Sequence, residues 1–183
     1  MENNENNENN KAPLGTEKPP LGTEKPPLGT EKPPLENKIP PPLVLIATLF
    51  LMRAIASYDP FIVASEYSQG LGWFLVVVGC AVILAGIVSF TRAKTTVDPL
   101  NPQKASQLVT SGVFGLTRNP MYLGMAIIGI GGVVYLQSPL ALLGVAAFVL
   151  YIQRFQIQPE ETAMQALFKE QFEQYKLRTR RWL

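Results

Sequence analysis

From Ile39 to Ile157 the chain is a succession of long apolar runs separated by short polar connections. The first run covers about 39–57 and is entered through Pro40, Pro41 and Pro42. The second covers about 70–90, the third about 120–136 and the fourth about 139–157, turning polar near its end. A bilayer-spanning helix needs about 20 apolar residues, within a range of about 17–25. The second run meets that length cleanly. The other three are shorter or carry a charge, and are expected to pack inside a bundle. Only Gln137, Ser138 and Pro139 join runs three and four, which predicts a tight antiparallel helical hairpin. Run three carries Gly124, Ala126 and the cluster Gly129, Gly131 and Gly132. No strand precedes the cluster and no dinucleotide fingerprint surrounds it, so it is no phosphate loop. Small residues in an apolar helix let another helix come close. Past the fourth run, Pro159 suits a first helical turn, with Glu160 and Glu161 behind it at the positive end of the dipole. Met164, Leu167, Phe168, Phe172 and Tyr175 then recur at helical spacing, predicting an amphipathic helix over about 159–180. Its basic end and Trp182 suit a membrane interface. The pattern as a whole predicts an all-α integral membrane protein: four transmembrane helices and a C-terminal amphipathic helix.

Residues 1–38 read differently. A Glu-Asn-Asn triplet repeats first, and Pro-Leu-Gly-Thr-Glu-Lys-Pro then recurs from Pro13, Pro20 and Pro27. Pro and Gly break any helix, so the seven-residue period is no coiled-coil heptad. The segment has the composition of a disordered, partly polyproline-extended tail and is expected to act as a linker, with a Pro-Pro docking role as the alternative. It has no apolar stretch of the signal-peptide kind, and Glu with no Arg argues against a transit peptide. The division is therefore a repeat tail over 1–38 and a membrane domain over 39–183.

Composition agrees. Only 16% of the residues are charged while 47% are hydrophobic, against about 25% charged in an average soluble domain. The net charge of +2 is too small to indicate nucleic acid. There is no His and a single Cys, Cys80, inside an apolar run. That excludes His-containing zinc and haem sites, Cys/His catalytic pairs and internal disulfides, and no metal is expected. Lys and Arg also sort the connections. Residues 58–69 and the hairpin turn have none. The tail carries Lys11, Lys18, Lys25, Lys32 and Lys38; the middle loop carries Arg92, Lys94, Lys104 and Arg118; the C-terminal stretch carries Lys169, Lys176, Arg178, Arg180 and Arg181. With four spans these three regions share one face, and the positive-inside rule makes it cytoplasmic. Arg53 is expected to snorkel towards Asp59 or Glu66.

The polar chemistry gathers on that face. Arg118, Asn119 and Pro120 open the third run, while Arg154, Glu160 and Glu161 close the fourth. An antiparallel hairpin brings both sets to one membrane level. Two Glu at a helix start can serve the helix alone, but ionisable groups at the ends of spans are functional candidates.

The run "LVTSGVFGLTRNPMYLG", followed about 35 residues later by "PEETAMQALFKEQFEQYKLR", resembles the isoprenylcysteine carboxyl methyltransferases and the related phospholipid methyltransferases. The resemblance covers roughly Thr95 to Arg178; the first two runs match only as generic spans. It implies a membrane enzyme using S-adenosylmethionine. It assigns cofactor binding to Ser106, Gln107, Leu108, Val109, Phe114, Asn119, Pro120, Met121, Tyr122 and Glu160. Arg118 is added on chemical grounds, as a partner for the cofactor's carboxylate. Arg118 and Glu161 are the candidate catalytic groups, Arg154 and Gln156 the candidate substrate-binding groups. The prenylcysteine enzymes commonly have His where Asn119 stands, and an Arg where Gln156 stands, with Arg154 two residues earlier. The reaction implied is methyl transfer to an oxygen or nitrogen of a lipophilic acceptor entering from the bilayer: a prenylcysteine carboxylate, a phospholipid amine or another molecule. A carboxylate acceptor is already ionised at neutral pH; an amine must lose a proton, to Glu161 or to water. An NADPH-dependent membrane reductase with an Arg-His-Pro-x-Tyr turn, and a non-enzymatic four-span scaffold, are the alternatives. Oligomeric state is not legible.

Overall fold

The computed structural model describes residues 38–62, 65–93 and 107–183. Nearly all of the tail, and Ser106 in the middle loop, lie outside them. Among the described residues the protein is helical, without strands. Helix α1 spans Pro41–Ala56, α2 Ser68–Arg92, α3 Pro120–Leu136, α4 Leu142–Ile152 and α5 Gln158–Arg178. Two continuous helices are long and apolar enough to cross a membrane: α2, and the helix running from Pro139 to Arg178 through α4 and α5. At 16 and 17 residues, α1 and α3 reach about 24 and 26 Å, against a hydrocarbon core of about 30 Å.

Both short helices begin at proline. Pro41 and Pro120 occupy first-turn positions, where a missing N–H removes no helical bond. The core lies where α1, α3 and α4 converge, built from Leu45, Tyr122, Met125, Phe148, Ile152 and Ile157. A second cluster joins Met52, Ala141 and Val145.

α2 stands apart. Its buried positions are Ser68, Gly72, Gly79 and Gly86, and nothing larger. The three glycines are seven residues apart, and two of them, Gly72 and Gly79, meet the matching pair Gly131 and Gly124 on α3. A Cβ on Gly79 would stand 2.6 Å from the Gly124 carbonyl, and one on Gly124 would stand 2.6 Å from the Gly79 carbonyl. Gly72 and Gly131 repeat this at 2.9 and 2.8 Å. Two backbones in contact leave no room for side chains, and in an apolar medium this packing is what holds the helices together. The other glycines of α3 serve other neighbours. Gly129 admits Val145 of α4, and Gly132 admits Met52 and Leu49 of α1.

At the hairpin, Gln137 takes a left-handed conformation at φ 56°. Asp59, from the α1–α2 connection, ties the turn down. It accepts the Ser138 hydroxyl, the Leu140 N–H at 3.0 Å and the Phe61 N–H at 2.8 Å. The expected pairing of Arg53 with Asp59 or Glu66 does not form: Arg53 donates to Ser57 at 2.9 Å. Backbone donors at the start of the fourth helix have no intrahelical partner, and a buried carboxylate satisfies them where an exposed guanidinium can find other partners.

The boundary expected near Ile157 is also absent. Gln153–Ile157 form a π-turn that carries the fourth helix into α5 without a break. The cause is Pro159, whose ring collides with the carbonyl four residues back in a regular α-helix. One extra residue in the turn opens the space, and the Gln158 N–H reaches back to Gln153. The break falls instead at Lys169, at φ 42°. Of the expected apolar stripe, Phe172 and Tyr175 are buried, Met164 and Phe168 half-buried, and Leu167 exposed.

Candidate functional site

At the start of α3 and beyond the apolar part of the fourth helix, three pieces of chain meet. The first is a single 3-10 turn, Gly112–Gly115. The second is the link 116–119. The third is the stretch 179–182 after α5, which folds back as a strap.

The turn is held by Phe114. Its ring packs edge-on against Phe90 of α2, with centroids 5.0 Å apart, and its carbonyl accepts the Tyr175 hydroxyl at 2.6 Å. Gly112, at φ 63°, supplies the left-handed residue that starts the turn. The link then pairs with the strap. Arg118 N–H donates to the Arg180 carbonyl at 2.9 Å, Asn119 Nδ2 to the Arg181 carbonyl at 2.9 Å, and the Thr117 hydroxyl to the same carbonyl at 3.2 Å. The Thr117 oxygen in turn accepts the Asn119 N–H at 3.2 Å. Trp182 closes the strap, donating to Gln153 at 3.3 Å and packing against the core cluster of α1, α3 and α4.

The charges divide unevenly. Arg118 donates to Glu161 Oε1 from Nε at 3.2 Å and from Nη2 at 2.8 Å, and to the Thr179 carbonyl from Nη1 at 2.5 Å. Arg181 donates to Glu161 Oε1 from Nε at 3.2 Å and to Oε2 from Nη2 at 2.5 Å. Two guanidiniums thus share one carboxylate, a local surplus of one positive charge. Burial pushes the Glu161 carboxyl up, but the bonds from Arg181 and Arg118 outweigh it and hold it below the usual carboxylate range. Glu160 is the opposite case. Among the described residues it receives only the Tyr122 hydroxyl, on Oε1. Desolvation, opposed by that bond and reinforced by the Glu161 charge, pushes its carboxyl up to about 8. Oε2 of Glu160 has no hydrogen-bond partner among the described residues.

The structure therefore brings Arg118, Asn119, Tyr122, Glu160 and Glu161 together, with Arg118 on Glu161 and Tyr122 on Glu160. Pro120 and Met121 lie against Gly86 of α2. Val109 is buried, Leu108 half-buried and Gln107 exposed. Arg154 and Gln156 face apart. Arg154 is exposed with its guanidinium 5.6 Å from the Phe155 ring centroid. Gln156 is 0% exposed and donates to the Ile39 carbonyl at 2.9 Å, and its Oε1 has no partner among the described residues. Reasoning from sequence missed Thr117, Tyr175, Thr179 and Arg181. The available signal was arithmetic: an Arg-Asn-Pro triplet and a basic end around Arg180 and Arg181 both need partners, and one Glu pair lies between them. Among the described residues no group of three metal-ligating side chains occurs.

Among the described residues the protein is thus a helical bundle with two helices long and apolar enough to cross a membrane, and a polar carboxylate–guanidinium cluster lies at the end of a hairpin. Residues 67–171 match the phospholipid methyltransferase family, and the chain belongs to that family. An uncharacterized protein of Haemophilus influenzae is 41% identical over 63 residues, 34% of this chain and 100% of that protein. A probable protein-S-isoprenylcysteine O-methyltransferase of Oryza sativa is 31% identical over 113 residues, 56% of this chain and 58% of the relative. Protein-S-isoprenylcysteine O-methyltransferase A of Arabidopsis thaliana is 30% identical over 110 residues, 58% of this chain and 54% of the relative. The chain thus spans a little over half the length of these plant relatives. No solved structure matches it.

Proposed function

We propose that this protein is a four-span membrane enzyme that transfers a methyl group from S-adenosylmethionine to a lipophilic acceptor, in the manner of the isoprenylcysteine carboxyl methyltransferases. The observation that carries the reading is the Tyr122–Glu160 pair beside the Arg118–Glu161–Arg181 cluster. That donor set fits the cofactor. Glu160 has an oxygen without a partner among the described residues, available for an ammonium group or ribose hydroxyls. The guanidinium surplus suits a carboxylate. Val109, Phe114 and Tyr122 are apolar walls for a flat base, with Gln107, Leu108, Asn119, Pro120 and Met121 around them. Ser106 joins this set by resemblance alone. When bound, the cofactor supplies an electrophilic methyl group.

The chain's own groups divide the remaining work. Glu161, saturated by two guanidiniums and held ionised, anchors the strap to the fourth helix and is a poor proton acceptor. A carboxylate acceptor needs no base. An amine acceptor does, and with Glu160 Oε2 given to the cofactor and Glu161 saturated, water takes that proton. Gln156 favours this second reading, phospholipid-type N-methylation. Its Nε2 is committed to Ile39, so the buried Oε1 offers only acceptance, which suits an N–H donor. The family match weighs against the reductase and scaffold alternatives. In the proposed topology the N-terminus, the link 107–119 and the strap lie on the cytoplasmic face, and residues 1–38 are a linker.

The test is transfer of radiolabelled methyl groups into total host lipid and protein, followed by base hydrolysis. Base-labile label marks an ester and base-stable label in lipid marks an amine. No transfer into either would sink the proposal.

A further inference from the structure

The cluster contains two guanidiniums, and they are not equivalent. A guanidinium has five N–H donors in a planar fork. Arg118 commits all three of its nitrogens, two to Glu161 and one to the Thr179 carbonyl, and its side chain is 11% exposed. Arg181 grips Glu161 side-on through Nε and Nη2, and its side chain is 34% exposed. Its Nη1 has no partner among the described residues. A side-on grip leaves the end-on edge, one N–H on each of Nη1 and Nη2, parallel and available. That edge matches a second carboxylate in bidentate geometry. The Arg181 carbonyl meanwhile receives Asn119 and Thr117, so this guanidinium is tied to the turn that opens α3.

We propose that Arg181, on the strap, is the anion-binding residue of the site and receives the carboxylate of the methyl donor's amino-acid part, while Arg118 holds the strap in place. This rests on the methyl-donor reading above and moves the anion contact from Arg118 to a residue outside the Arg-Asn-Pro turn. The surplus positive charge of the cluster is what attracts the anion. Arg181 carries it because its Nη1 has no partner among the described residues and its side chain reaches solvent.

The experiment is calorimetry on the full chain in detergent, titrated with S-adenosylmethionine and separately with its decarboxylated analogue, which keeps the sulfonium, amine and adenosine. Wild type should bind the carboxylate-bearing form more tightly. Arg181→Ala should weaken that form about tenfold and leave the decarboxylated analogue within about twofold, converging the two affinities. Arg181→Lys should restore part of the difference, and it serves as the test should the alanine variant fail to fold. Equal losses for both ligands would show that Arg181 only props the turn, and unchanged affinity for both would show that it touches neither; each overturns the proposal. Wild type binding neither ligand would overturn the methyl-donor reading, and this assignment with it.

Discussion

The two ends of the α3–α4 hairpin each hold an enclosed carboxylate, and the protein treats them oppositely. Asp59, at the turn end, accepts a hydroxyl and two backbone N–H groups. Burial pushes its carboxyl up, yet those bonds hold it below the usual range. Glu160, at the other end, has one phenol and, among the described residues, no partner on its second oxygen, and stays raised. A carboxylate whose acceptor sites are filled is structure. One that folding leaves short of partners remains free to meet a ligand or a proton.

Removing both sides of the open end should have the largest effect. Arg118→Ala combined with Glu160→Ala should abolish S-adenosylmethionine binding by calorimetry, a loss of at least about 100-fold, with helical circular dichroism retained. Retained binding would dissolve the distinction between the ends. Asp59→Ala should do the converse: a fall in Tm on the order of 5 °C with cofactor affinity unchanged.

A pH series sharpens the contrast. Glu160's folded value lies above its unfolded one, so the folded state binds the extra proton between the two. Its contribution to stability therefore declines as pH rises from the ordinary carboxylate value, about 4.3, to about 8. Glu160→Gln should accordingly gain Tm relative to wild type at pH 9 and differ less at pH 5. Glu161 runs the other way: its folded value is depressed, so its stabilisation is present above the ordinary value and is lost as pH falls through the folded one. Glu161→Gln should cost Tm at pH 7 and progressively less as pH is lowered below the ordinary carboxylate range. Cofactor affinity should rise from pH 6 to pH 8 as Glu160 ionises and stay flat in Glu160→Gln; a rise in the variant would assign the titration elsewhere. Deleting residues 1–38 should have the smallest effect, leaving methyl transfer within about twofold, as expected of a linker.

Much of the fold was legible. Pro41 and Pro120 start helices where proline signals place them, and the three-residue hairpin could close only one way. The junction at Pro159 was not legible. A proline reads as a boundary, and only the three-dimensional path reveals that a π-turn absorbs it. Of the candidate site, the Arg-Asn-Pro turn, Tyr122 and the Glu pair were visible because their residue types and spacing are unusual beside apolar runs. The strap was not. Thr179 and Arg181 act through backbone carbonyls as well as side chains, and carbonyl contacts leave no trace in residue type.

The glycine series on α2 and α3 has one more consequence. Contacts that repeat every seven residues are degenerate under translation. Sliding one helix past the other by about 10 Å again sets glycine against glycine. The seam specifies closeness and leaves alignment undetermined, like a ruler with unnumbered marks. The numbering comes from one end, where Gln137 reaches the Ser65 carbonyl at 2.8 Å and the Ser68 hydroxyl. A small amide at the hairpin thus selects one alignment among near-equals. It sets Gly86 beside Pro120 and Met121, at the threshold of the cluster, some five helical turns away.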